Sequence, residues 1–143
     1  MSDFSMEVGA DGVAVITWDT EGRSMNVMSL QGFSDLDALI DRVLGDESIR
    51  GAVITSGKPG SFAGGMDLNV IAQMRDSAGN DPARGLFDGI MATHRLLRKI
   101  ERAGMAPGTN AGGKPIAAAL PGTALGIGLE IPLACHRIFA ADN

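Results

Sequence analysis

Residues 122–135 read GTALGIGLEIPLAC and hold one carboxylate, that of Glu130, in an apolar run that opens with closely spaced glycines. The apolar run Ile116–Leu120 in front of them predicts a strand, and residues 127–135 predict a helix. A carboxylate among apolar neighbours costs free energy unless it is neutral, hydrogen-bonded or facing a polar cavity. The residue pattern leaves two interpretations of Glu130 open: a buried acid suited to proton transfer, or a solvated glutamate at a helix start.

A strand, a glycine turn and a helix start follow one another at two places in the chain. One is Gly126–Gly128, and the other is Gly64–Asp67. The first amides of a helix lack intrahelical partners and lie at the positive end of its dipole. The backbone N–H groups of Met66 and Ile127 are therefore suited to hold a developing oxyanion. The alternative is that both turns serve only chain reversal, as they do in many α/β folds.

Outward from these turns, strand and helix patterns alternate along the chain. Met6–Val8 and Val13–Trp18 flank a Gly-Ala-Asp-Gly turn and predict a hairpin. Ser29 is a typical N-cap residue, and apolar side chains after it recur at helical spacing as far as Gly45. The remaining predicted elements are a strand at Arg50–Thr55, helices from Asp67 and after Pro82, and a strand at Arg137–Ala140. The order β-β-α-β-α-α-β-α-β predicts an α/β domain over residues 1–143.

Composition excludes several classes of function. The 143 residues carry 12 basic and 17 acidic side chains, for a net charge of -5, and no Lys/Arg-rich block. We therefore expect neither nucleic-acid binding nor a patch for anionic membranes. The N-terminus lacks the pattern of a signal peptide, and glycines, prolines and Glu130 interrupt the most apolar region, so no membrane helix is predicted. The single cysteine, Cys135, is typical of a reducing compartment, and we expect a cytoplasmic protein.

Other reactive side chains give weaker signals. Cys135 lies in an apolar run, where a lone cysteine is usually part of the core rather than a nucleophile. His94 lies at a helical apolar spacing and is expected to be packed or partly exposed. His94 and His136 do not form a metal-binding spacing, so no metal site is predicted.

Two ordered motifs carry a resemblance to a known family. Ser61–Leu68, SFAGGMDL, resembles the F-x-A/G-G-x-D-L/I motif of the enoyl-CoA hydratase/isomerase (crotonase) superfamily. Lys114–Glu130, KPIAAALPGTALGIGLE, resembles the K-P-x-x-A-x-x-x-G-x-A-x-G-G-G-x-E motif of that superfamily. Asn26 lies where the superfamily usually has an asparagine. The resemblance covers essentially the whole chain and is strongest to the N-terminal hydratase region of bacterial multifunctional fatty-acid oxidation alpha subunits.

The resemblance implies a spiral of β-β-α units and specific site residues. Two backbone amides, those of Met66 and Ile127, would form an oxyanion hole for the thioester carbonyl, and Glu130 would help to activate the water that adds to the β-carbon. Lys58 is expected to be a solvated loop lysine rather than a phosphate ligand. The positions implied to contact the coenzyme A part of the substrate are Asn26, Val27, Met28, Phe62, Ala63, Gly64, Asp67, Leu68 and Gly126.

The resemblance also implies a reaction, its cofactors and the partners of the protein. The implied reaction is syn hydration of a 2-enoyl-CoA in fatty-acid β-oxidation, which needs no cofactor beyond the coenzyme A of the substrate. NAD would be needed only if a 3-hydroxyacyl-CoA dehydrogenase domain follows. The implied partners are further copies in a trimer or a thiolase subunit. The alternatives are a Δ3-Δ2-enoyl-CoA isomerase or a non-catalytic acyl-CoA-binding fragment. A peptidase of the related ClpP-like fold has little support, because no serine stands on a glycine turn with an identifiable histidine partner.

Two departures from the family pattern affect these expectations. The superfamily usually has glycine at the position of Ile127, so this side chain is expected to lie beside the thioester. The second catalytic glutamate of the superfamily and its C-terminal helices would lie beyond Asn143, which predicts a fragment of a longer protein. We therefore expect the isolated chain to have weak hydratase activity, exposed apolar surface and a tendency to associate through an open sheet edge.

Overall fold

A computed structural model describes residues 2–142 and shows an α/β fold built on one mixed sheet. Four helices and seven strands follow one another in this part of the chain. In chain order they are β1 (Phe4–Val8), β2 (Val13–Trp18), α1 (Leu30–Gly45), β3 (Gly51–Ser56), β4 (Ser61–Ala63), α2 (Leu68–Asp76), α3 (Pro82–Arg102), β5 (Ile116–Leu120), β6 (Thr123–Ala124), α4 (Ile127–Ala134) and β7 (Arg137–Ala140).

The main sheet has five strands in the order β1-β2-β3-β5-β7. β1 and β2 form the expected antiparallel hairpin, and every later neighbour pairs in parallel. Parallel neighbours need crossover connections, which α1 supplies between β2 and β3. A second sheet consists only of β4 and β6, which pair in parallel.

The strands β4 and β6 were not predicted from the sequence. They have three and two residues, and both lie inside glycine-rich segments that read as turns. Strands this short show no periodicity, and only the pairing between the two loops reveals them. The other predicted elements are confirmed to within a few residues.

Capping residues fix where the helices begin. Ser29 accepts a hydrogen bond from the amide of Gly32 at the start of α1, and Asp67 accepts one from the amide of Asn69 at the start of α2. Asp81 accepts one from the amide of Arg84 at the start of α3. Each of these side chains satisfies a backbone N–H that the helix itself leaves unpaired.

An aromatic cluster marks the centre of the core, where the two sheets meet. The rings of Phe4 and Trp18 stack with centroids 5.1 Å apart, and Trp18 meets Phe62 edge-on at 5.9 Å. Trp18 and Phe62 have no exposed surface. Because Phe62 belongs to β4, this packing anchors the short sheet against the large one.

Apolar surface is exposed on α2, α3, α4 and β7, in agreement with the sequence-based expectation. All four residues of β7, at one edge of the main sheet, are exposed, and they include Ile138 and Phe139. No helix within residues 2–142 is both long and apolar enough to cross a membrane.

Candidate active site

The two glycine turns predicted from the sequence lie against each other. β4 pairs with β6, and the amide of Leu125 continues this pairing with a 3.0 Å hydrogen bond to the carbonyl of Ala63. A Cβ atom on Gly126 would lie 3.6 Å from the Cα of Gly65. The residues that follow these two glycines, Met66 and Ile127, are therefore neighbours across the pairing.

The Met66 amide is left free by the pairing around it. Met28 donates its amide to the carbonyl of Gly65, and Asp67 donates its amide to the carbonyl of Met28, both at 2.8 Å. In a parallel bridge of this kind the bonds involve the residues before and after the central one, and Met66 is that central residue. Among residues 2–142 the Met66 N–H has no hydrogen-bond acceptor.

The Ile127 amide is free because α4 begins there. It is the first residue of the helix, and within the described chain its N–H likewise has no acceptor. The amides of Gly128 and Leu129 turn back to the carbonyls of Leu125 and Gly126. Two adjacent unpaired N–H groups, one of them at a helix N-terminus, form an arrangement that stabilises an oxygen gaining negative charge.

Glycine is required around the second amide for two reasons. Gly126 has φ 54° and ψ -130°, a conformation that residues with a Cβ rarely adopt. A Cβ on Gly128 would lie 2.6 Å from the Cβ of Ala63, which is closer than carbon atoms approach. These contacts explain the two glycines that flank Ile127.

The expectation that the Ile127 side chain lies beside the thioester is wrong. The side chain is 4% exposed and packs in the hydrophobic core with Phe62 and Ile131. The first turn of α4 directs this residue toward the sheet, while its backbone amide remains at the glycine turn. The departure from the family glycine therefore changes the core rather than the free N–H.

The interpretation of Glu130 as a buried acid is also wrong. Glu130 lies in the first turn of α4 and is exposed, and its amide is hydrogen-bonded to the carbonyl of Gly126 at 3.0 Å. Its neighbours along the helix, Ile127 and Ile131, are the buried ones. The apolar sequence around Glu130 therefore belongs to other faces of the helix.

Glu130 lines an open concavity of about 510 Å³ between α3 and α4. Arg98 and Glu101 of the same concavity form an ion pair at 2.5 Å. Within the described chain the side chains of Glu130 and His94 have no hydrogen bond or ion pair, so both are available to a ligand. The residues lining the concavity are His94, Leu97, Arg98, Glu101, Glu130, Leu133 and Ala134.

The predicted coenzyme A positions fall into two groups by exposure. The side chains of four of them have no exposed surface, and these are Asn26, Met28, Phe62 and Ala63. Val27, Gly64 and Asp67 are half-buried, whereas Gly126 is exposed and Leu68 is 93% exposed. Because the main chain of these four residues is buried as well, they are not accessible to a ligand in this structure.

The expectation of a solvated Lys58 is wrong. Its side chain is 12% exposed, and its ammonium group lies 2.5 Å from a carboxylate oxygen of Asp19 and 2.7 Å from the carbonyl of Thr20. The lysine therefore ties the loop after β3 to the loop after β2. Its ammonium group is thus already engaged by two oxygens of the protein.

The sequence analysis missed the apolar side chains around the free amides. Leu125 and Leu129 flank the Ile127 turn and are 55% and 40% exposed, and Leu133 lies one turn further along α4 and is 65% exposed. With Leu68 they give the glycine turns an apolar border. The sequence of α4 does indicate them, because its apolar residues occur on most faces of the helix and a core contacts only one of these faces.

Comparison with known proteins gives relatives that cover almost the whole chain. A fatty acid oxidation complex subunit alpha of Idiomarina loihiensis is 35% identical, and that of Shewanella amazonensis is 32% identical. Each alignment covers 98% of this chain and 18% of the relative, so the chain spans under a fifth of the length of these proteins. The chain matches no family model.

Solved structures show the same fold. An enoyl-CoA hydratase of Geobacillus kaustophilus superposes with a TM-score of 0.76 at 26% identity, covering 98% of this chain and 46% of that protein. Human mitochondrial Δ3-Δ2-enoyl-CoA isomerase superposes with a TM-score of 0.75 at 25% identity, covering 99% of this chain and 48% of that protein. One neighbour is a hydratase and the other an isomerase.

Proposed function

The chain belongs to the enoyl-CoA hydratase/isomerase superfamily and has the crotonase fold, and from this premise we propose that it is part of an enoyl-CoA hydratase of fatty-acid oxidation. The observation that carries the proposal is the pair of free amides of Met66 and Ile127 on adjoining glycine turns. Glu130 follows them by one helical turn.

In the proposed reaction each part of the site has one role. The amides of Met66 and Ile127 hold the thioester oxygen, which gains negative charge when water bonds to the β-carbon and the π electrons move toward the carbonyl. Glu130 accepts a proton from the attacking water. Transfer of this proton from Glu130 to the α-carbon, directly or through the second glutamate that the family pattern implies, restores the thioester, so that the H and OH of one water molecule are added overall. The coenzyme A belongs to the substrate, and the proposed hydration needs no other cofactor.

The runner-up is a Δ3-Δ2-enoyl-CoA isomerase, which the similarity to the human isomerase supports. That reaction also passes through a thioester enolate, and a single carboxylate can move the proton from the α-carbon to the γ-carbon. The two proposals share the amides and differ in whether water is consumed. The relatives are named as subunits of a complex, which supports the proposal that the protein acts together with other subunits. Further copies of the chain or a thiolase are the proposed partners, and the cytoplasm is the proposed location.

The test is to assay the protein in its natural length with a 2-enoyl-CoA and a 3-enoyl-CoA. Hydration of the first supports the hydratase, and conversion of the second without net hydration supports the isomerase. Glu130→Gln is expected to lower turnover by about 10²-fold or more, because it removes the proton acceptor. Glu101→Gln is the matched control, since Glu101 lines the same concavity but is paired with Arg98. Unchanged turnover in Glu130→Gln would reject the role of Glu130.

A further inference from the structure

One buried amide side chain connects three strands. Asn26 lies between β2 and α1 and has no exposed surface. Its Nδ2 lies 2.9 Å from the carbonyl of Trp18, 2.9 Å from the hydroxyl of Ser56 and 2.8 Å from the carbonyl of Phe62. Trp18 and Ser56 are the last residues of β2 and β3, and Phe62 is the middle residue of β4.

The hydrogen-bonding capacity of this side chain is filled by the protein. The Nδ2 has two hydrogens and faces three oxygens, and Oδ1 accepts a 2.8 Å hydrogen bond from the amide of Thr20. A buried polar group that loses its partner is costly, so any smaller or acceptor-only side chain here leaves backbone groups unpaired. Asn26 is thus neither exposed nor free to bind coenzyme A through its side chain.

The main chain after Asn26 continues the connection to the first free amide. The carbonyl of Asn26 accepts the amide of Gly64 at 2.8 Å, and Met28 then pairs with Gly65 and Asp67 on either side of Met66. Residues 26–28 therefore pair with residues 64–67 through backbone hydrogen bonds, as in a short parallel bridge. The direction of the Met66 N–H follows from this pairing.

From these contacts we infer that Asn26 is a positioning residue for the oxyanion hole. Its side chain fixes β4 through Phe62, its carbonyl fixes Gly64, and the two together determine where the Met66 amide points. Asn26 does not contact the substrate. The catalytic consequence rests on the proposed function, but the positioning is a property of the free protein and is measurable without a substrate.

The first experiment measures amide hydrogen exchange by NMR in the unliganded wild-type chain. If Asn26 holds the segment, its side-chain NH2 hydrogens are protected and exchange in the same opening event as the amides of Gly64 and Asp67. The exposed side chain of Asn80 is the internal reference for rapid exchange. Rapid exchange of the Asn26 NH2 while Gly64 stays protected would overturn the inference, and this experiment needs no variant to fold.

The second experiment compares Asn26→Ser and Asn26→Asp with the same changes at Asn80. Asn26→Asp keeps the size and the acceptor for Thr20 but has no donor for the Phe62 carbonyl. We expect the amides of Met28, Gly64 and Asp67 to exchange at least about tenfold faster, while those of the β2–β3 ladder change little. Unchanged protection, or an equal loss over the whole sheet, would show that Asn26 does not position this segment in particular.

The catalytic readout uses the protein in its natural length and a 2-enoyl-CoA labelled at the thioester carbonyl. In Asn26→Ser we expect kcat to fall by about tenfold or more with KM nearly unchanged, and the infrared shift of the bound carbonyl to become smaller. A higher KM together with an unaltered infrared shift of the carbonyl would contradict a positioning role for Asn26. If the wild type itself shows neither turnover nor a carbonyl shift, the proposed function fails while the exchange results still decide the role of Asn26.

Discussion

Gly65 and Gly126 lie close together: a Cβ on Gly126 would lie 3.6 Å from the Cα of Gly65, and a Cβ on Gly65 would lie 3.4 Å from the carbonyl oxygen of Leu125. Their φ angles of 111° and 54° are both in the region that favours glycine. This close approach, together with the β4–β6 pairing, brings two free amides that are 61 positions apart in sequence (66 and 127) to the same place.

Replacement of Gly126 by alanine is expected to impair turnover more than folding. The conformation at φ 54° and ψ -130° is strained for alanine by about 1–3 kcal/mol, and rotating the next peptide relieves this strain. That peptide carries the Ile127 N–H. Urea unfolding and turnover of a 2-enoyl-CoA measure the two effects separately.

The matched control for this change is Gly79→Ala. Gly79 also has a positive φ, 59°, but a Cβ there has no atom within 4 Å. It is expected to lower stability by about 1–2 kcal/mol through the left-handed backbone and to leave turnover intact. Normal turnover in Gly126→Ala would contradict the assignment of the Ile127 amide.

Truncation of Ile127 tests whether its side chain belongs to the core or to the substrate site. The side chain is 4% exposed, so Ile127→Ala should destabilise the fold by about 2–5 kcal/mol, and Ile127→Val by about 0.5–1.5 kcal/mol. Turnover of the valine variant should remain near that of the wild type, because the hydrogen-bond donor is the backbone. Urea midpoints and turnover with acyl chains of several lengths are the measurements.

The control for this truncation is Leu129→Ala, two residues further along α4 and 40% exposed. Its stability loss should be clearly smaller than that of Ile127→Ala. If Ile127→Ala instead left stability unchanged and altered acyl-chain preference, the side chain would face the substrate.

Local chemistry made the helix starts and the two glycine turns predictable from the sequence. Ser29 and Asp67 cap helices through their own side chains, and such short-range hydrogen bonds leave a sequence signature. The strands β4 and β6 have no such signature, because each exists only through pairing with a segment about 60 residues away (Ser61 with Thr123, Ala63 with Ala124). Sequence patterns of period two need longer strands to be visible.

The errors at Glu130 and Ile127 have a common physical origin. Whether Glu130 is exposed depends on how α4 is rotated against α3, and whether Ile127 is buried depends on the same rotation. An apolar run that is hydrophobic on most faces does not indicate that rotation. Lys58 was mistaken for a solvated side chain because its partners, Asp19 and Thr20, lie in another loop.

Lys114 is expected to stabilise the fold without taking part in substrate binding. Its ammonium group donates to the carbonyls of Val43 and Asp46, at 2.8 and 2.7 Å, at the C-terminal end of α1. A cation there satisfies unpaired carbonyls and opposes the negative end of the helix dipole. Lys114→Met should lower the free energy of unfolding by about 1–2 kcal/mol. Arg137→Met removes an exposed positive charge as the control, and a larger effect on acyl-CoA affinity than on stability would contradict the prediction.

The thiol of Cys135 is expected to react slowly because the fold keeps it protonated. Burial raises the pKa of Cys135 from 9.0 to about 12, and its Sγ donates to the carbonyl of Ile131 at 3.4 Å. At pH 8 the thiolate fraction is therefore about a thousandfold lower than in the unfolded chain. Reaction with a disulfide reagent should accelerate about tenfold per pH unit beyond pH 9 in the folded chain, whereas in urea it should level off near that pH.

The same shift has a consequence for stability. Because the folded pKa is raised, the thiol favours the folded state fully below pH 9.0, and this contribution is lost as the pH rises toward about 12. Urea midpoints of the wild type should therefore fall more steeply between pH 8 and about 11 than those of Cys135→Ala, in which the group is absent. Parallel curves for the two proteins, or a reactivity plateau near pH 9 in the folded chain, would show that Cys135 titrates like a solvated thiol.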